Sequence, residues 1–505
     1  MIAARPYKII LCLLIVALIA VGSLSQRSLN QDRISLGVNR GEALGQSAPP
    51  ALVFTTVALG GFRGLIANAL WIRAMELQEQ DKYFEKVQLA DWITKLQPRF
   101  VTVWIVQAWD MAYNISVKFS SPVDRWMWVQ RGLELLRDEA IPINPDEALL
   151  YRELAWFFQH KMGADLDDAH FYYKSEWIRE METVLGGTNY VALINPQTDD
   201  EIQRARTLRD RYKMDPEIML EVDQEHGPLE WRLPESHAIY WASVGFKRSR
   251  LKDLANLRRV VFQSLQLAFR RGRIMKVWTA EGERFQLLRD LDIIPRANQA
   301  YLDLAAESTE AADKISFYRA HRNFLKDAVY FLYAANRKSE AQKWWDYLRG
   351  EYPDATFSDA RKSSLDTTRL ADITLEDYAA AKVTEDIGET SRDRVTNNLI
   401  GLLIQSFYFL ANDEDDLATG NERLAQVAHA RYMREINRVK QQDRIGLDTF
   451  PEMKRQALDI FRQNYHPGLV ARLYTRLGLP VPQDTPAPAA TPEANQAQPQ
   501  PAPNP

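Results

Sequence analysis

The sequence predicts an all-α protein: an N-terminal membrane-spanning signal-anchor, a solenoid of helical hairpins, and an extended tail. Three observations predict it. Residues 9–24 form an apolar run behind Arg5 and Lys8. From about residue 65 to 480, apolar residues recur at steps of three and four, as in Leu399, Leu402, Leu403, Phe407 and Leu410, while alternating strand runs are scarce. The last 26 residues, 480–505, hold nine prolines and no aromatic residue, a composition that cannot bury a core.

The apolar run is 16 residues long. A membrane span needs roughly 20 and a signal-peptide core about 7–15. Lys8 can snorkel and Ser23 to Ser25 can lie at the far interface, which completes a span. The expectation is an uncleaved anchor over 1–25, with its basic end in the cytoplasm of a bacterial cell and the body exported to the periplasmic side. Residues 26–50 are polar and read as a linker. Residues 51–72 are again apolar, but Arg63, Asn68 and three glycines interrupt them. An arginine at mid-bilayer is costly, so this stretch is read as the first buried helix of the body. Further divisions are helical repeats over 51–245 with an insertion near 185–234, more hairpins over 246–480, and the tail over 481–505.

Composition narrows the function classes. The 505 residues are 46% hydrophobic, with 13 tryptophans and 20 tyrosines, so a large core can form. A net charge of -4 does not suggest nucleic acid. The single cysteine, Cys12, sits inside the apolar run, so neither an intrachain disulfide nor a cysteine metal site can be assembled. No cofactor is expected.

A repeat carries the architecture. Pro98 precedes Trp104 by six residues, with Gln107, Ala108 and Met111 following. Pro145 precedes Tyr151 by six, with Leu154, Ala155 and Phe158 following. The two units are offset by 47 residues, from Pro98 to Pro145. A third stretch supplies Ala341, Trp345, Leu348 and Pro353 after a helix through Leu325, Ala328, Val329 and Leu332. A weaker copy is Ala238, Trp241, Ala242 and Gly245 after Pro234. Small residues let a neighbouring helix approach, and the aromatics fill the groove beside it. These residues resemble the tetratricopeptide repeat, which pairs two antiparallel helices in this way. The match departs from the family in its 47-residue spacing and in Gln107, where the family prefers leucine. Leu59-Gly-Gly-Phe-Arg-Gly64, Tyr83-Phe84, the run from Gln88 to Phe100 and Gly227-Pro-Leu-Glu-Trp-Arg-Leu-Pro234 resemble membrane-anchored bacterial proteins of the same type. That resemblance implies location and architecture, and no reaction.

Candidate chemistry is thin. None of the seven histidines has tight metal-ligand spacing. Asp165, Asp167, Asp168 and His170 cluster between two helical stretches, where acids also cap helices. Asp223, Glu225, His226, Glu235 and His237 flank a turn and offer carboxylate with imidazole. Asn412-Asp-Glu-Asp-Asp416 lacks the glycine and glutamate register of a calcium loop. No phosphate loop or nucleophile elbow occurs.

One charge feature stands out. Over 247–276 ten basic residues face one acid, Asp253: Lys247, Arg248, Arg250, Lys252, Arg258, Arg259, Arg270, Arg271, Arg273 and Lys276. This stripe is a candidate docking surface for an acidic protein partner or for anionic lipid. A solvated helix face paired with acidic neighbours is the competing reading. The expected function is a non-enzymatic, membrane-tethered scaffold that binds protein partners. The alternatives are an all-helical carbohydrate-active or hydrolytic enzyme, with Glu225 and Glu235 as carboxylates, and a structural subunit of a membrane complex packed through 51–72.

Overall fold

The computed structural model describes residues 21, 25, 63–249, 254–279, 282–307, 311–357, 368–384, 392–438 and 446–482. The expected linker over 26–50 lies outside them, as do all of the anchor but residues 21 and 25 and the tail from 483. Among the described residues no helix is long and apolar enough to cross a membrane. The chain divides into two compact units, 1–115 and 116–505.

In the first unit, α1 (Arg63–Glu79) and α2 (Tyr83–Leu96) form a hairpin, followed by α3 (Val101–Trp109) and a π-helical turn over Asp110–Ile115. Ala67, Ala90, Ile93 and Val103 make its small core, with Leu70 and Trp71 against it. Polar side chains share this interior with the apolar ones. The Lys86 ammonium lies 2.5 Å from Asp110, with both side chains buried. Lys86 also donates to Gln78 at 2.8 Å, and Asn114 donates to Asp110 at 2.7 Å.

The second unit is mostly helical. It runs through α4 (Pro122–Glu134), α5 (Ala148–Trp156), α6 (His170–Leu185), α7 (Asp199–Asp210), α8 (Pro216–His226), α9 (Pro234–Arg248) and α10 (Ala255–Arg271). An antiparallel hairpin of β1 (Arg273–Thr279) and β2 (Gly282–Leu288) follows, with Arg273 opposite Leu288. Then come α11 (Ile294–Glu307), α12 (Ala311–Ala334), α13 (Lys338–Glu351), α14 (Leu375–Thr384), α15 (Arg392–Ala411), α16 (Asp415–Arg438), α17 (Phe450–Asn464) and α18 (Pro467–Arg476). The β-hairpin corrects the expectation of helix throughout. Met275 and Val277 are buried while Lys276 between them is exposed, the two-residue alternation of a strand. The stretch near 185–234, read as an insertion, carries α7 and α8, with a Thr198–Glu201 capping box opening the first.

The 47-residue offset has a local structural basis. Trp104 Nε1 donates to the Pro98 carbonyl at 2.9 Å, and the Tyr151 hydroxyl donates to the Pro145 carbonyl at 2.9 Å. A six-residue spacing lets the aromatic fold back over the turn and cap a carbonyl that the preceding helix leaves open. The helices α3 and α5 start at the same point of the repeat, and each passes into a π-helical turn, at Asp110 and at Phe157.

A second recurrence joins three hairpins. In α1–α2, α12–α13 and α15–α16 the turn holds one non-glycine residue at positive φ: Asp81, Asn336 and Asp413. The next amide reaches back five residues at 2.9 Å in each, from Lys82 to Leu77, Arg337 to Leu332 and Glu414 to Phe409. Asn and Asp tolerate this left-handed conformation better than other side chains. The helices α2 and α13 both have 14 residues and both end one residue before a proline pair partner, Gln97-Pro98 and Tyr352-Pro353.

Close backbone approach fixes α16 on the α12–α13 turn. A Cβ on Gly420 would sit 1.9 Å from the Ala334 carbonyl oxygen, and Asn336 is held by Asp416 at 3.1 Å and by Arg423. Gly420→Ala is therefore expected to cost about 1–3 kcal/mol or more, since backbone cannot yield as a side chain does. Gly401→Ala in α15, with nothing within 4 Å of the added methyl, is expected to stabilise by about 0.5–1 kcal/mol. Urea midpoints of the two variants check the contrast.

Candidate functional site

The residues expected to pack the repeats are in the core. Trp104, Ala108, Tyr151, Leu154, Ala155, Phe158, Ala341 and Trp345 are all buried. Pro353 is exposed and stands just past the end of α13. Tyr151 packs where α9 comes closest: a Cβ on Gly245 would lie 2.7 Å from the Tyr151 Cβ.

Most of the described bases of the stripe are exposed, and several are paired. Lys247 pairs with Glu221, Arg258 with Glu307, Arg273 with Glu414 at 3.0 Å and Lys276 with Glu182 at 3.4 Å. The residues are divided among α9, α10 and β1, so helical periodicity does not align them. Arg250 and Lys252 lie outside the described residues. Arg248, Arg259 and Arg270 are exposed, and no carboxylate among the described residues lies within ion-pair distance of them. Arg271 turns inward.

Arg271 is the hub of a polar network between α5, α6, α9 and α10. Its Nε donates to the buried Glu235 at 3.0 Å, and its two terminal nitrogens bond Asp165 and the Gly163 carbonyl. Lys174, also buried, donates to Asp165 and to His170 Nδ1, both at 2.9 Å. Burial, reinforced by Lys174, lowers the His170 imidazole to about 4. The ring is neutral, so its 3.3 Å approach to Asp165 is not an ion pair. Burial lowers the Lys174 ammonium to about 8, with Arg271 adding to the effect. Beside this cluster Asp167 takes Lys161 at 2.5 Å, Arg125 at 2.7 Å and the Ala169 amide at 2.9 Å. Burial pushes its carboxyl up, but these donors together hold it below the usual range.

The acidic cluster around residue 165 is thus spent on cations, and among the described residues no group of His, Cys, Asp or Glu converges to hold a metal. The paired candidates near the 227–234 turn sit in different surroundings. Glu235 is buried against Arg271, whereas Glu225 is exposed beside His226 at 3.6 Å. His237 donates from Nε2 to the Trp231 carbonyl at 2.8 Å and lies among Phe158, Trp177 and Trp231. Asp223 accepts the Leu229 amide at 2.8 Å. Asp413 and Asp415 pair with Arg472 and Arg476, in place of a calcium loop.

Two buried histidines give the stability a pH dependence. Burial lowers His237 and His321 to about 4. His321 donates to Asn298 at 2.8 Å and accepts from Tyr352 at 2.7 Å, which uses the neutral ring fully. Unfolded, each has a pKa near 6.5. The folded values are the lower ones, so between pH about 6.5 and about 4 the unfolded chain binds more protons. This contribution is complete above about 6.5 and is lost as pH falls through that window. Urea titrations across it are expected to show falling stability, with a smaller slope in His321→Gln.

The face that sequence reasoning reached only indirectly is the outside of the α1–α2 hairpin. Ala67, Ala74 and Leu77 point inward, while Leu65 (65% exposed) and Ile72 (62%) share the outward face of α1, seven residues apart. On α2, Phe84 (56%) and Trp92 (45%) are exposed on one face, eight residues apart. The sequence signal for this face is the apolar stretch 51–72, whose described residues, 63–72, open α1. No protein-family model, curated protein or solved structure matches the chain.

Proposed function

We propose that the chain is a membrane-tethered, non-enzymatic scaffold that binds protein partners outside the cytoplasm through a surface of divergent, tetratricopeptide-like hairpins. The observation that carries this reading is the outward face of α1–α2. Four large apolar side chains, Leu65, Ile72, Phe84 and Trp92, remain exposed on a hairpin whose inward positions are filled. Single exposed apolar residues are ordinary, but repeated ones on the same helix face, with aromatics among them, are the composition of interface anchors. The recurring turn at Asp81, Asn336 and Asp413 supports the repeat reading. A structural subunit of a membrane complex is the second reading, favoured by Leu65 and Ile72 because they extend the apolar stretch that begins near residue 51.

Site-specific photocrosslinking in native membranes tests it. A benzophenone side chain at position 84 or 92 is expected to capture the same discrete protein, and one at the exposed Lys343 position is not. Lipid adducts alone at 84 and 92, or equal capture from all three positions, would overturn the proposal.

A further inference from the structure

The helix α1 is apolar on two opposite sides. Ala67, Ala74 and Leu77 are buried, and Leu70 and Trp71 pack against the small core of the first unit. Away from them run Leu65, Asn68, Ile72 and Met75, at steps of three, four and three. All four are exposed, Met75 the least of the apolar three at 41%. At 3.6 residues per turn they fall within an arc of about 80°. A helix on the outside of a body needs one apolar stripe, the one that faces the core. The packing of the hairpin therefore leaves the second stripe unexplained.

The spacing says what kind of surface fits it. A row at alternating steps of three and four is the seam of a coiled coil, a narrow stripe that a second helix with the same row can follow. The row also has one polar member. Asn68 stands between Leu65 and Ile72, and its amide both donates and accepts. Covered by an apolar groove, that amide would lose water and gain nothing, at a cost of about 1–3 kcal/mol. Covered by the same residue of a parallel copy in register, each amide satisfies the other. A lone asparagine in a seam sets register and strand number in this way. The flanking positions oppose no like charges along the middle of the row: Ala69 and Trp71 are uncharged, and Glu76 is paired with Arg73 at 2.8 Å. Glu79 occupies the next position of the row, where α1 ends.

We infer that α1 pairs with α1 of a second copy of this chain as a parallel two-stranded coiled coil, in which Leu65, Asn68, Ile72 and Met75 meet the same residues of the other copy. The inference rests on the reading that the outward face of α1–α2 serves recognition, and it commits the α1 side of that face to self-association. Phe84 and Trp92, on α2, are left for a different partner. Four side chains per copy make a small contact beside the roughly 800 Å² per partner of a stable complex. Tethering both copies to one membrane by their N-terminal ends compensates, because it raises the effective concentration to about the millimolar range and favours the parallel arrangement.

Cysteine cross-linking of the full-length chain in liposomes tests this, in a Cys12→Ser background that removes the native thiol. Leu65→Cys, Ile72→Cys and Met75→Cys, each oxidised alone with copper phenanthroline, are expected to give a disulfide-linked species of twice the mass. Arg73→Cys, one residue off the seam, is expected to do so at least about tenfold more slowly. Bonds between identical copies at both 65 and 75 require the parallel register, since an antiparallel pair brings 65 to 75. Asn68→Asp sets two carboxylates face to face and is expected to slow cross-linking at Ile72→Cys by about tenfold or more at pH 7. Asn68→Leu is expected to keep the pairing but to admit bonds between a Leu65→Cys copy and a Met75→Cys copy, which the asparagine disfavours. Thermal melts check that each variant folds. Equal rates at positions 72 and 73, or mixed 65–75 bonds in the chain that keeps Asn68, would overturn the inference. So would cross-links from 65 and 72 to a different protein in native membranes with no dimer in liposomes, a result that leaves the recognition reading of the face standing.

Discussion

Arg271→Ala is expected to lower the stability of the second unit by about 3–5 kcal/mol, because it leaves a buried carboxylate without its partner. Glu235 is about 2% accessible at its side chain, and its second oxygen already lacks a protein partner. The substitution also releases the Gly163 carbonyl at the end of the π-helical turn and one cation from Asp165. Removing both ends, as in Arg271→Leu with Glu235→Leu, is expected to recover most of the loss, since well-packed apolar groups can replace a buried pair at little cost. Urea midpoints of Arg271→Ala, with the double variant alongside, measure this. A deficit below about 1 kcal/mol for Arg271→Ala, typical of an exposed pair, would contradict the burial assigned to Glu235.

Lys86→Met in the first unit is expected to be comparably severe, about 3–5 kcal/mol. Among the described residues Asp110 would keep Asn114 as its hydrogen-bond donor, and its carboxylate would stay buried among the α2 and α3 side chains. Lys86→Met with Asp110→Leu is expected to restore much of the stability, while Asp110→Ala alone is expected to be as damaging as Lys86→Met. If instead Lys86→Met were neutral in urea unfolding, the pair would be solvated in solution.

These two sites also explain what the sequence disclosed and what it concealed. The Pro98–Trp104 and Pro145–Tyr151 spacings were legible because one hydrogen bond in each copy depends on the six-residue reach. The α1–α2 hairpin was not recognised as a copy of α12–α13. Its turn and its helix lengths match, but Lys86 stands where α13 has the buried Ala341, four residues after the turn amide. A pattern search for a small residue passes over a lysine whose charge is cancelled by Asp110, far along the chain. The β-hairpin was hidden for a related reason. Arg273 and Lys276 were counted with the bases of α10 as one helical stripe, whereas Met275 and Val277 between and beside them already alternate as a strand does. The pairing of Arg271 with Glu235 and Asp165 could not be read either. Those partners lie more than thirty residues away in one case and more than a hundred in the other, and composition carries no record of which charges meet. The same blindness covers Arg289 and Phe331, which only the fold brings into contact.

The proposal that outward apolar side chains serve recognition and not folding meets its most direct test in oxidative footprinting of Trp92 and Phe84. The full-length chain is labelled in native membranes and, for comparison, after purification into liposomes of the same lipids. Slower modification of both residues in native membranes, with Trp104 slow in both states because it is buried, is the expected result. Equal rates for Trp92 and Phe84 in the two settings would mean that no protein covers this face, and would contradict the account.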